Sequence, residues 1–438
     1  MQPSNPRKTD GNRGERIVAQ FALAGEPAQF RTGFPPVPPF YCPKGQKARW
    51  GDQMPQEDGF VARAFAGAAD DDALQRLAGD LGSGPFALVV LFISPDADLE
   101  MIAARSQTAF PSATVIGCTT AGEITTAGYD HGTIVAIGFP QEYFSAETLL
   151  ISNLGQIEPR TLTDAFLRAR QQLAREHAHQ SEEFSILLVD GLSVKEDELA
   201  AALAAGAGAM PLIGGSAGDG TRFQQTFILH DGALMQNAAV LAVLRTSCAV
   251  RPINLDHLTP TERRMVVTEA DPRKRTVSRI NAEPAAREYA RLLGKDPVNL
   301  DTFTFAAHPL AVRMGRRHHV RAIQRILPSG DLVFFSAIDK GVVLTITEPR
   351  DLVTHLDQAL SNLRAPAEPV AILAFECILR RIEAQEKQMT RKISGLMRQH
   401  GVAGFSTYGE QFGPMHVNHT LTGYAFYPPG TELPEDGT

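Results

Sequence analysis

One series of elements occurs three times in this chain, and it limits what the chain can fold into. Each time a buried apolar run, a helix, a short second run and a glycine turn ending in an acid follow in that order. The first copy runs from Phe86-Ala-Leu-Val-Val-Leu-Phe-Ile93 through a helical stretch at 98–110 and Ala113-Thr-Val-Ile116. Its turn is Gly117-Cys-Thr-Thr-Ala-Gly-Glu123, and Thr133-Ile-Val-Ala-Ile-Gly-Phe139 closes it. The second has Phe184-Ser-Ile-Leu-Leu-Val189, an alanine-rich helix at 196–210, Pro211-Leu-Ile-Gly-Gly-Ser-Ala-Gly-Asp219 and a strand at 238–244. The third has Val370-Ala-Ile-Leu-Ala-Phe375, one long helix at 377–400, Val402-Ala-Gly-Phe-Ser-Thr-Tyr-Gly-Glu410 and a strand at 420–427. Short unalternating apolar runs suit strands buried on both faces. The pattern therefore predicts an α/β fold of repeated strand–helix–strand–turn–strand units with mixed sheets, and its period is too long for a solenoid.

The material around the repeats divides the chain. Residues 1–56 hold the proline-rich Phe34-Pro35-Pro36-Val37-Pro38-Pro39-Phe40 and the single Trp50, and read as a disordered arm. An amphipathic segment at 59–81 leads into the first copy. Between the second and third copies, Val266-Val-Thr268 and Thr276-Val-Ser-Arg-Ile280 flank a polar turn, with Asn281 placed to cap a helix ending at Leu293. Four β-patterned segments, 310–315, 319–326, 331–337 and 341–347, then predict an antiparallel meander. The reading is two domains, 57–250 and 251–432, with a tail at 433–438.

Composition removes several classes of function. Of 438 residues, 49 are acids and 42 are bases, a formal charge of −7 that argues against a nucleic-acid or anionic-membrane binder. No apolar run approaches the ~18 residues of a membrane span, and the first residues lack a signal-peptide core. Cys42, Cys118, Cys248 and Cys377 form no CxxC pair, which argues against a disulfide framework, a structural zinc and covalently attached haem. The expectation is a cytoplasmic protein.

The glycine turns invite a nucleotide reading, but neither G-x-G-x-x-G opening a helix nor the P-loop pattern occurs. Ser216 in Gly214-Gly-Ser-Ala-Gly218 imitates a nucleophile elbow, yet Ala-Gly-Asp-Gly follows it where the elbow needs a helix. Among twelve histidines, His177, His179 and His400 sit in polar surroundings, and His318 and His319 read as an exposed basic tip. His257, His308 in Phe305-Ala-Ala-His-Pro309, and His416 and His419 in Met415-His-Val-Asn-His-Thr420 lie in more apolar settings. No HExxH motif is present, so a zinc hydrolase finds no support. Strand alternation puts His416 and Asn418 on one face and Val417 and His419 on the other. From the residues alone the chain is a two-domain α/β protein with a small-molecule pocket near its glycine turns and no named ligand.

Several of these stretches together resemble the FIST sensory-domain family. Gly117–Glu123 and Ile213–Asp219 look like its N-terminal part, and Val267-Thr-Glu-Ala270 with Asn281-Ala-Glu-Pro-Ala285 like the start of its C-terminal part. Gly404-Phe-Ser-Thr-Tyr-Gly-Glu-Gln411, Met415–Thr420 and Phe305–Pro309 resemble its nitric-oxide-sensing haemoprotein branch, and the likeness spans about residues 57–430. That resemblance implies haem b (iron protoporphyrin IX), nitric oxide as ligand, and output through a partner histidine kinase or a cyclic-di-GMP synthase or phosphodiesterase. Other members are thought to take small ligands such as amino acids, which makes a haem-free metabolite sensor the alternative. No kinase, cyclase or response-regulator motif is present, so the chain reads as no enzyme.

Within that reading His416 is the first choice for the axial iron ligand, with His257 and His308 in reserve. Met415 and Val417 offer apolar neighbours for a porphyrin edge, and Asn418 or Thr420 could orient the imidazole. Thiolate ligation is disfavoured. Cys377 reads as a small core residue, and Cys118, in the first turn, as oxidisable only if exposed.

Overall fold

The computed structural model describes residues 60–315 and 317–434. The expected arm at 1–56, with its proline-rich stretch, Cys42 and Trp50, lies outside the described residues, as does the end of the expected tail. Within them the threefold series becomes three matching sheets.

The first unit contains β1 (Ala62–Gly67), α1 (Ala73–Leu81), β2 (Phe86–Ile93), α2 (Leu99–Ala109) and β3 (Thr114–Thr119). A hairpin, β4 (Glu123–Thr125) and β5 (Gly128–Asp130), and β6 (Thr133–Pro140) complete it. The second unit has β7 (Phe144–Ile151), α3 (Pro159–Glu176), β8 (Glu182–Val189), α4 (Glu196–Ala207) and β9 (Leu212–Ser216). Its hairpin is β10 (Ile228–His230) and β11 (Ala233–Met235), and β12 (Ala239–Thr246) closes it. The third unit opens with β13 (Cys248–Asp256), so residue 250, where the sequence reading joins its two domains, falls inside that strand.

An antiparallel insertion follows. It comprises β14 (Leu258–Asp271), β15 (Thr276–Ile280), β16 (Glu283–Pro284), α5 (Ala285–Leu293) and α6 (Thr302–Ala307). Then come β17 (Leu310–Met314), β18 (Arg317–Arg321), β19 (Ile323–Ile326), β20 (Leu332–Phe334) and β21 (Val343–Pro349). The third unit resumes with α7 (Leu352–Asn362), β22 (Ala371–Cys377), α8 (Ile378–Glu386), α9 (Thr390–Gln399) and β23 (Val402–Thr407). It ends with the hairpin β24 (Glu410–Phe412) and β25 (Met415–Val417), and with β26 (Thr420–Pro429).

The three sheets share one order: lead strand, closing strand, opening strand, second strand, then a hairpin taken from another unit. Opening and second strands are parallel in each, and all other pairs are antiparallel. The first unit's hairpin pairs with β23, the third unit's with β9, and the second unit's with β3, so the hairpins pass round a ring. The insertion lies within the third unit, between β13 and α7, and the exchange of hairpins binds the three units together.

The uniform apolar runs follow from two-sided burial. Leu88, Val90 and Phe92 of β2 face a central core shared by all three sheets, while Val89, Leu91 and Ile93 pack under α1 and α2. Phe184, Ile186 and Leu188 do the same in β8, and Leu373 and Phe375 in β22. In that centre Phe92 stacks on Phe405 with ring centroids 4.5 Å apart.

Four expectations change. The segment 59–81 is a strand and a helix, because Ala62–Gly67 pairs along β6. The long helix at 377–400 is two helices, broken where Gln388 takes φ 55°. The segment 319–326 is split between β18, which pairs with β17, and β19, which pairs with β20. Asn281 does not cap α5. It adopts φ 52°, accepts from the Val266 N–H at 2.9 Å and donates to Glu288.

Candidate functional site

The three glycine turns meet in a closed hydrogen-bonded ring. Ala121 N–H donates to Ser406 O, Ser216 N–H to Gly409 O, and Gly218 N–H to Thr119 O, at 2.8–3.0 Å. Glycine is required just before each turn. A Cβ on Gly117, Gly214 or Gly404 would collide with the carbonyl oxygen of Leu91, Leu187 or Ala374 on the parallel strand beside it. The acids that end the first and third turns are matched: Thr120 donates to Glu123, and Thr407 to Glu410. Burial raises Glu123 to about 7 and Glu410 to about 8, against the pull of those hydrogen bonds. Asp219 differs, accepting from Tyr408 and from the N–H groups of Phe223, Gln224 and Gln225.

His416 lies at the edge of this ring and is 1% exposed. Gln411 Nε2 donates to its Nδ1 at 3.2 Å and to Ser216 Oγ at 2.9 Å. An acceptor Nδ1 makes Nε2 the protonated nitrogen. That Nε2 has no hydrogen-bond partner among the described residues, and a Cβ added at Gly409 would lie 2.6 Å from it. Asn418 lies against the same glycine, and its Oδ1 accepts from Ser336 at 3.1 Å. Met415 is partly exposed, while Val417 and Thr420 are buried.

The reserve histidines stand elsewhere. Arg380 donates to His257 Nδ1 at 3.0 Å, and His257 Nε2 donates to Glu383 at 2.8 Å, so both ring nitrogens are engaged. His308 ends α6, half-buried, with Tyr289 Oη bonded to its carbonyl at 2.7 Å.

Neither His416 nor His257 fits an iron porphyrin, whereas His308 keeps a buried Nδ1 with no hydrogen-bond partner among the described residues. At His416 the only nitrogen left for iron backs onto the Gly409 main chain, where a single carbon atom has no room. At His257 coordination would break a buried hydrogen bond to Arg380 or Glu383. Nor do any three described His, Cys, Asp or Glu residues cluster as metal ligands.

A cleft of about 400 Å³ opens instead between the third unit and the insertion. Asn254 and Asp256 of β13 line it from the third unit's sheet. Leu258 and Pro260 of β14, Thr347 of β21, Ala311 of β17 and His318, His319 and Val320 of β18 line it from the insertion's sheet. Val417 and Thr420 close the base, so two of the five residues marked out in 415–420 reach the cleft while His416 and Asn418 face away. His318 and His319 are thus cleft residues and not an exposed tip, because β18 folds back along β17 toward β25. His400 is also buried, at the C-terminal cap of α9, where a solvated position was expected.

Behind the cleft lies a charge network that the sequence reading missed. Glu376, Arg380, Arg381 and Glu383 sit where β22 runs directly into α8, all at most 3% exposed. Arg381 donates to the carbonyls of Glu123 and Asp130 in the hairpin taken from the first unit. Burial alone would raise Glu383, but His257 and Lys387 outweigh it and hold the carboxyl near about 2. The available signal was four charges placed immediately after an unbroken apolar run. Ser216 is fully buried, as are Cys118 and Cys377, whose thiols burial pushes well above the ordinary range.

Three mixed sheets thus surround one core, with an antiparallel insertion and a cleft at its seam. A FIST N domain matches residues 87–283 and a FIST C domain matches residues 285–413. Together they cover most of the chain, which belongs to the FIST-domain family, a family of sensory domains in signal-transduction proteins. The two matches meet just before α5. No curated protein matches the chain. No helix among the described residues is long and apolar enough to cross a membrane.

Proposed function

We propose that this chain is the cytoplasmic sensor of a signalling pathway and that it binds a small polar metabolite, such as an amino acid, in the cleft. The observation that carries the reading is the cleft itself, which joins polar side chains of two separately built layers, the third unit and the insertion. A ligand that touches both layers stabilises the arrangement in which they are closed, and can pass a signal only by such differential binding. The chain has no catalytic motif of its own for output. A histidine kinase or a cyclic-di-GMP synthase or phosphodiesterase is the proposed recipient. The haem-based nitric oxide reading rests on the resemblance of Phe305–Pro309 and residues 404–420 to that branch, without support from the geometry at His416 or His257.

Isothermal titration of the full chain with a panel of amino acids tests the proposal, beside a His318→Trp variant that fills the cleft. Saturable heat in the wild type and its loss in the variant are expected. No binding by any amino acid, or binding that survives the filled cleft, overturns it. A Soret band on adding haemin that moves with nitric oxide would replace it with the haem reading.

A further inference from the structure

The hydrogen-bond directions around the cleft are more selective than its size. Thr347 Oγ1 donates to the Pro309 carbonyl at 2.7 Å, and Thr420 Oγ1 donates to Glu410 Oε2 at 2.5 Å. A hydroxyl carries one proton, so Thr347 offers the cleft only lone pairs, and Thr420 does the same while Glu410 is ionised. The Asp256 carboxylate stands at the mouth, exposed, with one oxygen accepting from the Leu258 N–H at 3.3 Å. Arg350 bonds the Asp256 carbonyl at 3.0 Å and not its carboxylate. None of the described lining residues is lysine or arginine, the side chains that ordinarily hold a carboxylate or phosphate. Asn254, His318 and His319 can adapt, because an amide or imidazole both donates and accepts.

We infer that the cleft selects an organic cation, a primary ammonium or guanidinium with several N–H donors, through Asp256 and Thr347, joined by Thr420 when Glu410 is ionised. This rests on the reading of the cleft as the ligand site and names the group recognised there. An anion would face the Asp256 carboxylate and the Thr347 lone pairs without a fixed positive charge. A cation finds one carboxylate and the oriented Thr347 hydroxyl, with Val320 and Val417 for an aliphatic chain. In an amino-acid ligand the ammonium would then carry recognition, and the carboxylate would be dispensable.

The test is isothermal titration of the full chain with 1,4-diaminobutane, with succinate of equal chain length, and with the amino-acid panel. The diamine should bind at least about tenfold more tightly than succinate. Asp256→Asn should weaken it about tenfold and the near-isosteric Thr347→Val severalfold. Asp256 is exposed, so its variant should keep the wild-type melting temperature, and any loss of affinity is then local. Succinate binding as tightly as the diamine, or amino acids binding while the diamine does not, overturns this inference and leaves the sensor reading standing. If neither the diamine nor any amino acid binds, both fall.

Discussion

Thr420 donates its hydroxyl proton to Glu410 at 2.5 Å, and this contact ties the base of the cleft to the ring of glycine turns. Thr407, on the other carboxyl oxygen, accepts from Gly409 N–H and donates to Glu410. A proton arriving on Glu410 can occupy the oxygen beside Thr420. There it would reverse that hydrogen bond and turn Thr420 into a donor toward the cleft.

The first prediction follows from that proton. Burial raises Glu410 to about 8, with Thr407, Thr420 and the charge of Arg380 opposing, and buried Cys377 is the other titratable group beside it. An unfolded glutamate titrates near ~4.3. A folded value above the unfolded one means stability that is present at low pH and lost as pH rises through about 8. Glu410→Gln mimics the protonated form and removes that loss. Urea unfolding should show the variant gaining on the wild type, by up to about 1.4 kcal/mol per pH unit between about pH 5 and 8. A difference that stays constant over this range contradicts the assignment.

Gly404→Ala should prevent stable folding. Its φ is 156°, and an added Cβ would overlap the Ala374 carbonyl oxygen, inside the parallel pair that builds the third sheet. The cost is expected at about 4 kcal/mol or more. Gly395 in α9 has open space around it, so Gly395→Ala should be neutral or gain up to about 1 kcal/mol. Calorimetric melting temperatures of the two variants settle the matter, and similar values for both would refute it.

Removing His257 should expose the charge network. His257→Ala leaves Arg380 and Glu383 short of a buried partner, at a cost of about 3–5 kcal/mol. Glu383, held near about 2, contributes stability that is present above its unfolded value near ~4.3 and fades as pH falls toward about 2. Acid unfolding followed by circular dichroism should therefore be shallower in the variant than in the wild type. An equally steep acid limb would mean that another partner holds Glu383 down.

Arg275→Ala tests how the insertion is anchored. Arg275 pairs with Glu196 at 2.5 Å at the start of α4, and the neighbouring Asp197 accepts from Ala337 N–H at 3.1 Å. Hydrogen exchange should quicken in β15 and β20, while β8 and β9 keep their protection. Uniform loss of protection in all four strands would show that the ion pair supports the whole fold and not this contact alone.

Much of the architecture was legible because burial leaves a local trace. The runs at 86–93, 184–189 and 370–375 are apolar at every position because each strand has a core on both faces, so three equivalent units could be read directly. The glycine before each turn was legible for a similar reason, since its neighbour on the parallel strand leaves no room for a side chain. The break at Gln388 was not, because an unbroken amphipathic pattern runs through it and only the docking of α9 fixes the bend.

The site divides along the same line. The sequence by itself determined that Met415–Thr420 follows a glycine turn and that its residues alternate between two faces, since both properties depend on neighbours in the chain. Only the tertiary structure decided which face meets what. Ser216, which shares Gln411 with His416, is 195 positions from that glutamine. The hairpin β24–β25 reaches β9 because the closed core has one place left for it, and the same closure turns His416 toward Gly409 and brings Val417 and Thr420 to His318 and His319. Periodicity records how much of a segment is buried. Which surface buries it is set by the packing of strands far apart in sequence, and no local pattern carries that information.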